Sequence, residues 1–122
     1  MTRTVFVFGS NLSGVHGAGS ALEAHKYWGA EMGVGIGPTG NAYAIPTKDR
    51  EIRHTLPLRV ISLAVMDFID YAREHTDVMF IVTRVGCGLA GLTDNQVAPM
   101  FAAAIDLPNV LMCDGWREVI TQ

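Results

Sequence analysis

Val78-Met79-Phe80-Ile81-Val82 runs directly into Thr83-Arg84-Val85-Gly86-Cys87-Gly88-Leu89-Ala90-Gly91-Leu92, and then into Thr93-Asp94-Asn95-Gln96. The first stretch is a short apolar run rich in β-formers, which reads as a buried strand. The second is a glycine-rich turn. The third has the spacing of a capping box, a Thr followed three residues later by a Gln, which opens a helix. The order is strand, tight loop, helix. It recurs at the N-terminal end: Thr4-Val5-Phe6-Val7-Phe8 reads as a strand, Gly9 to Gly19 as a glycine-rich loop, and Ser20-Ala21-Leu22-Glu23 as a second capping box. The helix from Ser20 is expected to stop at Gly29.

The remaining segments fit the same alternation. Met32 to Gly37 is a weak strand, Pro38-Thr39-Gly40-Asn41 a turn, and Ala42-Tyr43-Ala44-Ile45-Pro46 a strand in a hairpin with it. Thr47 to Pro57 is a polar loop. In Leu58–His75, Val60, Ile61, Ala64, Val65, Phe68, Ile69 and Ala72 recur at spacings of three and four, the mark of an amphipathic helix. The helix from Thr93 extends to about Ala104, with Pro99 forcing a tight first turn before regular helix. Val110 to Cys113 is a last strand, closed by Asp114-Gly115-Trp116. Alternation of this kind predicts a three-layer α/β/α domain with a mixed, mostly parallel sheet. Parallel crossovers gather the loops that follow the strands on one edge.

Composition sets the outer bounds. The chain has 122 residues, enough for one domain over 1–122. Apolar residues make up 49% and charged residues 17%, which excludes a disordered chain. Nine Lys and Arg stand against twelve Asp and Glu, net −3, so nothing favours non-specific binding to nucleic acid or an anionic membrane. No stretch approaches the roughly 18 apolar residues of a membrane span. The four apolar residues ahead of Gly9 are too few for a signal peptide. Cys87 and Cys113 are therefore expected as reduced thiols in a cytoplasmic protein. No His or Cys pair has zinc-site spacing, so neither a metal nor a cofactor is expected.

A glycine-rich turn feeding a helix N-terminus presents free backbone N–H groups and the positive end of the helix dipole. That arrangement suits a phosphate or carboxylate, although such turns also occur where a chain merely reverses. Neither loop matches a nucleotide fingerprint. Leu22 stands where the last glycine of Gly-x-Gly-x-x-Gly would fall, and no Walker motif occurs.

Thr83-Arg84-Val85-Gly86-Cys87-Gly88-Leu89-Ala90-Gly91-Leu92 resembles the second phosphate loop of macro domains, in particular the terminal ADP-ribose glycohydrolase branch. Ser10-Asn11-Leu12 through Gly17-Ala18-Gly19 is similar to that family's first ligand loop, with Asn11 at the place of its ribose-side asparagine. Tyr43-Ala44-Ile45-Pro46-Thr47-Lys48 is similar to the strand that ends in the branch's catalytic lysine. The resemblance spans residues 4–113. It implies that ADP-ribose, a related phosphorylated ribonucleotide or an ADP-ribosylated macromolecule lies across the strand ends. Ser10, Asn11, His16, Gly17, Ala18, Gly19, Arg84, Gly86, Cys87, Gly88, Leu89, Ala90 and Gly91 would be its contacts. It also implies hydrolysis of an ADP-ribosyl bond by Lys48, assisted by an acid. Ala90 occupies the family acid's place, which leaves Asp49 or Asp94 as substitutes. The family's first strand, with its adenine-reading aspartate, has no counterpart here. Thr4–Phe8 would then be an exposed edge needing cover, and a homo-oligomer would supply it.

Several residues have a plain reading beside the functional one. Lys48 is a nucleophile or a solvated phosphate contact. Cys87 is a thiolate at a helix N-terminus or, preferably, a small packing residue. Trp116 covers a base or packs the C-terminal segment onto the body. His25, His54 and His75 read as surface, and Cys113, Met66 and Met79 as core. Three functions remain open: an ADP-ribosyl hydrolase, a non-catalytic module that reads or sequesters an ADP-ribose-like nucleotide, or a small interaction protein whose pocket is vestigial.

Overall fold

A computed structural model describes residues 3–122. Five strands form one sheet: β1 (Arg3–Asn11), β2 (Gly37–Thr39), β3 (Ala42–Lys48), β4 (Val78–Val82) and β5 (Val110–Leu111). The helices are α1 (Gly19–Tyr27), α2 (Leu58–Glu74), α3 (Asp94–Val97) and α4 (Trp116–Thr121), with a 3₁₀ helix over Ala98–Ala104. The sheet order is β2-β3-β1-β4-β5, parallel throughout except for β2 against β3. This is the expected three-layer α/β arrangement with a mixed, mostly parallel sheet.

The layers follow from alternation along β1. Val5 and Val7 point to one face, where they join Tyr43, Ile45 and Phe80 beneath Ile61, Val65, Phe68 and Ile69 of α2 and Phe101 of the 3₁₀ helix. Phe6 and Phe8 point to the other, where Ala21 and Ala24 of α1 cover them together with Ala42 and Ala44. Alanines there let the short helix α1 sit close to the sheet. Phe68 is fully buried and meets Tyr43, Phe80 and Phe101 edge-on at 5.1–6.1 Å between ring centroids. Trp116 is the other anchor of that face, 5.5 Å from Phe101.

The crossovers leave β1 in opposite directions. The chain goes from β1 over one face to the β2–β3 hairpin, then back over the other face through α2 to β4. A switch of that kind opens a crevice at the C-terminal ends of the strands. Strand β1 overruns β4, whose pairing ends at Val7–Val82. It continues beside β3 to Asn11, with a register shift between Ser10 and Asn11. An irregularity there bends the strand end and re-aims its side chains.

The structure corrects several expectations. Thr4–Phe8 is not an edge: β1 pairs with β3 on one side and β4 on the other. The edges are β2 and β5, three and two residues long, and Pro38 removes a donor from β2. Short, proline-bearing edges resist pairing with other chains. The hairpin strand is Gly37–Thr39 rather than Met32–Gly37, so the turn contracts to Gly40–Asn41. Helix α1 starts one residue before Ser20; its N-cap is Ala18, and no side chain caps it. The Thr93–Gln96 capping box is present in both directions. Beyond it the chain forms 3₁₀ rather than regular α-helix, because Pro99 at its start cannot donate a backbone bond. Strand β5 is shorter than Val110–Cys113, and α4 follows Gly115, which takes φ +84°. Met66, read as core filling, lies 54% exposed on the outer face of α2.

Candidate functional site

A cleft of about 210 Å³ opens at the crevice. Its floor is Gly9, Ser10 and Asn11 from the end of β1 with Thr47 and Lys48 from the end of β3. One wall is Gly17 to Ala21, the turn into α1 and its first residues. The opposite wall is Arg84, Gly86, Gly88, Leu89 and Ala90 from the loop after β4. Val15 and Ile52 complete it. Three segments far apart in sequence thus meet in one place.

The backbone of each loop is fixed internally. Leu92 N–H donates to Gly86 O at 2.9 Å and Gly91 N–H to Gly88 O at 3.0 Å, so residues 86–92 fold back on themselves. Gly86 takes φ +79°. A Cβ on Gly9 would stand 3.2 Å from the Gly86 nitrogen, so a glycine at the end of β1 lets the two loops approach. Gly88 differs: its φ is ordinary, and a Cβ there would meet nothing within 4 Å. The position looks into open space from the cleft wall.

The polar side chains divide into those that build the loops and those that remain available. Ser10 Oγ donates to Gly35 O. Asn11 Nδ2 donates to Val15 O at 2.9 Å, and its Oδ1 accepts from Ser13 Oγ and Val15 N–H. Thr47 Oγ1 donates to Ser10 O at 3.1 Å. All three side chains hold the floor in shape. Lys48 lines the cleft and makes no ion pair among the described residues. Arg84 is held side-on by Asp94, Nε to Oδ1 at 3.0 Å and Nη2 to Oδ2 at 3.1 Å, which leaves Nη1 without a protein partner among the described residues. The Asp94 carboxylate also accepts from the Trp116 indole at 2.7 Å and from the Cys87 thiol at 3.6 Å. The bonds from Arg84 and Trp116 pull its pKa below the usual carboxylate range. Asp94 is therefore a fixed anchor and not a proton donor.

Other candidates lie elsewhere. His16 is not in the cleft: it is fully buried, edge-on to Phe8 at 5.3 Å, with Nε2 2.9 Å from Glu31 O. Burial lowers its pKa below 6.5. Asp49 does not line the cleft either; Oδ1 accepts from the Arg53 and His54 N–H groups, and Oδ2 pairs with His54 Nδ1 at 3.2 Å. Cys87 turns its thiol toward Asp94 and Val85 O, and burial and the Asp94 charge raise its pKa, which keeps the sulfur protonated. Cys113 is pushed up to about 11 by burial. Gly91 supports the loop without lining the cleft. Trp116 covers no ligand site; it is 1% exposed. His75 is half-buried, stacked on Tyr71 at 3.9 Å. Among the described residues no group of three His, Cys, Asp or Glu is disposed to hold a metal, and no helix is long and apolar enough to cross a membrane.

Sequence reading missed Gly9, Val15, Ala21, Thr47 and Ile52. Ile52 had a signal, as the one large apolar residue within the polar stretch Asp49–His54.

Fold and site together define a three-layer α/β protein with a glycine-walled cleft at the strand C-termini. No family model, curated protein or solved structure matches the chain.

Proposed function

We propose that the cleft binds a phosphorylated ribonucleotide of the ADP-ribose class. One observation carries this reading: in a chain with net charge −3, the described residues that line the cleft include Lys48 and Arg84, the latter paired with Asp94 from outside the lining, and no acidic residue. The uncapped start of α1 adds backbone donors and the positive end of a helix dipole to the same wall. Each hydrogen bond to a charged oxygen contributes about 1.5–3 kcal/mol, and the dipole about 0.3–1 kcal/mol. A phosphate or diphosphate is the ligand group with enough charge and acceptors to use them. The ribonucleotide part rests on the resemblance to macro-domain loops, whose segments meet at this cleft.

Binding without turnover is the favoured form. A hydrolase needs an acid near the reacting carbon, and Ala90 stands at the family acid's position. Asp94 is saturated by Arg84, Trp116 and Cys87, and Asp49 faces His54 outside the cleft. The hydrolase reading keeps one support, Lys48 within the cleft. A module that reads or sequesters the nucleotide needs only the cradle. A cytoplasmic site of action fits two unpaired cysteines.

Gly88→Glu tests the site. The open space at this position lets the variant fold, and its carboxylate enters the cleft. Like charges brought together cost several kcal/mol, so affinity for ADP-ribose is expected to fall at least about a hundredfold. Titration calorimetry of both proteins reads it. Unchanged affinity in a folded variant places the ligand elsewhere.

A further inference from the structure

Ile52 is the one non-glycine residue at positive φ among the described residues, at +60°. A β-branched side chain takes that conformation only when its surroundings impose it. The constraint is visible. Ile52 N–H donates to Asp49 O, Asp49 N–H to His54 O, and Asp49 Oδ1 receives the Arg53 and His54 N–H groups. Thr55 Oγ1 then donates to Ala90 O at 2.6 Å and ties this loop to the opposite cleft wall. Ile52 is among the residues that line the cleft.

Two other aliphatic side chains line it and remain exposed, Val15 at 48% and Leu89 at 72%. Each of the three comes from a different loop, after β1, β3 and β4. Exposed aliphatic groups beside an anion cradle suit a ligand with a charged end and a flat apolar body. Among the described residues no aromatic side chain lines the cleft to stack with such a body. We propose that Val15, Ile52 and Leu89 form a base subsite contiguous with the anion cradle, and that Ile52, held in a strained backbone conformation, is the residue that packs on the base. This rests on the nucleotide reading above. Aliphatic contacts cover the faces of a base and do not read its edges, so the subsite rewards a base without choosing strongly among bases.

The test uses Ile52→Gly and Ile52→Asn, both of which accept the left-handed conformation. Wild type and variants are titrated with ADP-ribose and with ribose 5-phosphate, and their thermal midpoints are measured without ligand. In both variants the ADP-ribose dissociation constant is expected to rise on the order of tenfold, with ribose 5-phosphate unchanged within about twofold. The midpoint is expected to hold or rise, because strain is relieved. A residue kept only for stability gives the opposite result. Equal losses for both ligands, no loss for ADP-ribose, or a lowered midpoint in both variants overturns the proposal. Wild type that binds ribose 5-phosphate but not ADP-ribose overturns the subsite and leaves the anion cradle standing. Wild type that binds neither removes the nucleotide reading and the subsite with it.

Discussion

His16 Nδ1 is buried without a hydrogen-bond partner among the described residues, while Nε2 is 2.9 Å from Glu31 O. A ring in that position is held neutral, since protonation would put a charge among Phe8 and the neighbouring His25. Its folded-state pKa lies below the unfolded value of 6.5. As pH falls through 6.5 the unfolded chain takes up the proton first, so stability present above that pH drains away below it. The expected outcome is a thermal midpoint that declines as pH falls below 6.5, with a slope reduced in His16→Gln. An identical slope in the variant assigns the pH response to other groups. The sequence could not distinguish this histidine from a ligand, because a glycine-rich loop surrounds it in either case. What decides is the segment Glu31–Val34 packing back over the loop, a contact fifteen residues and more away in sequence.

Elements show which signals are local and which are not. Strand β4 and helix α2 were legible because five consecutive apolar residues and a repeating apolar face each state their own partner surface. Thr93 announced its helix correctly, whereas Ser20 offered the same spacing and caps nothing. The turn Gly17–Gly19 carries the chain into the helix one residue early, and leaves its first turn uncapped in the cleft wall. Helix α4 was missed because Trp116, Val119 and Ile120 make a single turn of periodicity, and the bond from Trp116 to Asp94 is long-range. The loops also have a steric logic that spacing does not show. A Cβ on Gly35 would run into the Asn11 carbonyl, while one on Gly88 meets nothing. Gly35→Ala is expected to lose about 3 kcal/mol, at the upper end of overpacking costs, and Gly88→Ala to stay within about 0.5 kcal/mol. Urea midpoints of the two variants check this, and equal midpoints contradict the interlock of residues 11–15 with 33–35.

At the scale of the whole molecule, the position of the cleft follows from topology. Strand β1 lies between β3 and β4, the crossovers on its two sides run over opposite faces, and the loops after all three strands therefore meet at one edge. The sequence made the order of strands and helices legible, and with it the edge that gathers the loops. It did not reveal that Thr4–Phe8 is central, because pairing order is set by which faces α1 and α2 cover, and that depends on the packing of Ala21 and Ala24 against Phe6 and Phe8. Nor did it separate the loop residues that face the cleft from Asp49, Cys87 and His16, which share the same segments and point away. Calorimetric titration with ADP-ribose, with AMP and ribose 5-phosphate beside it, decides whether this edge binds a phosphorylated ribonucleotide as proposed. The expected result is ADP-ribose binding near micromolar, about −8 kcal/mol, and weaker binding of both fragments. Absence of binding by all three ligands to the folded protein would contradict it.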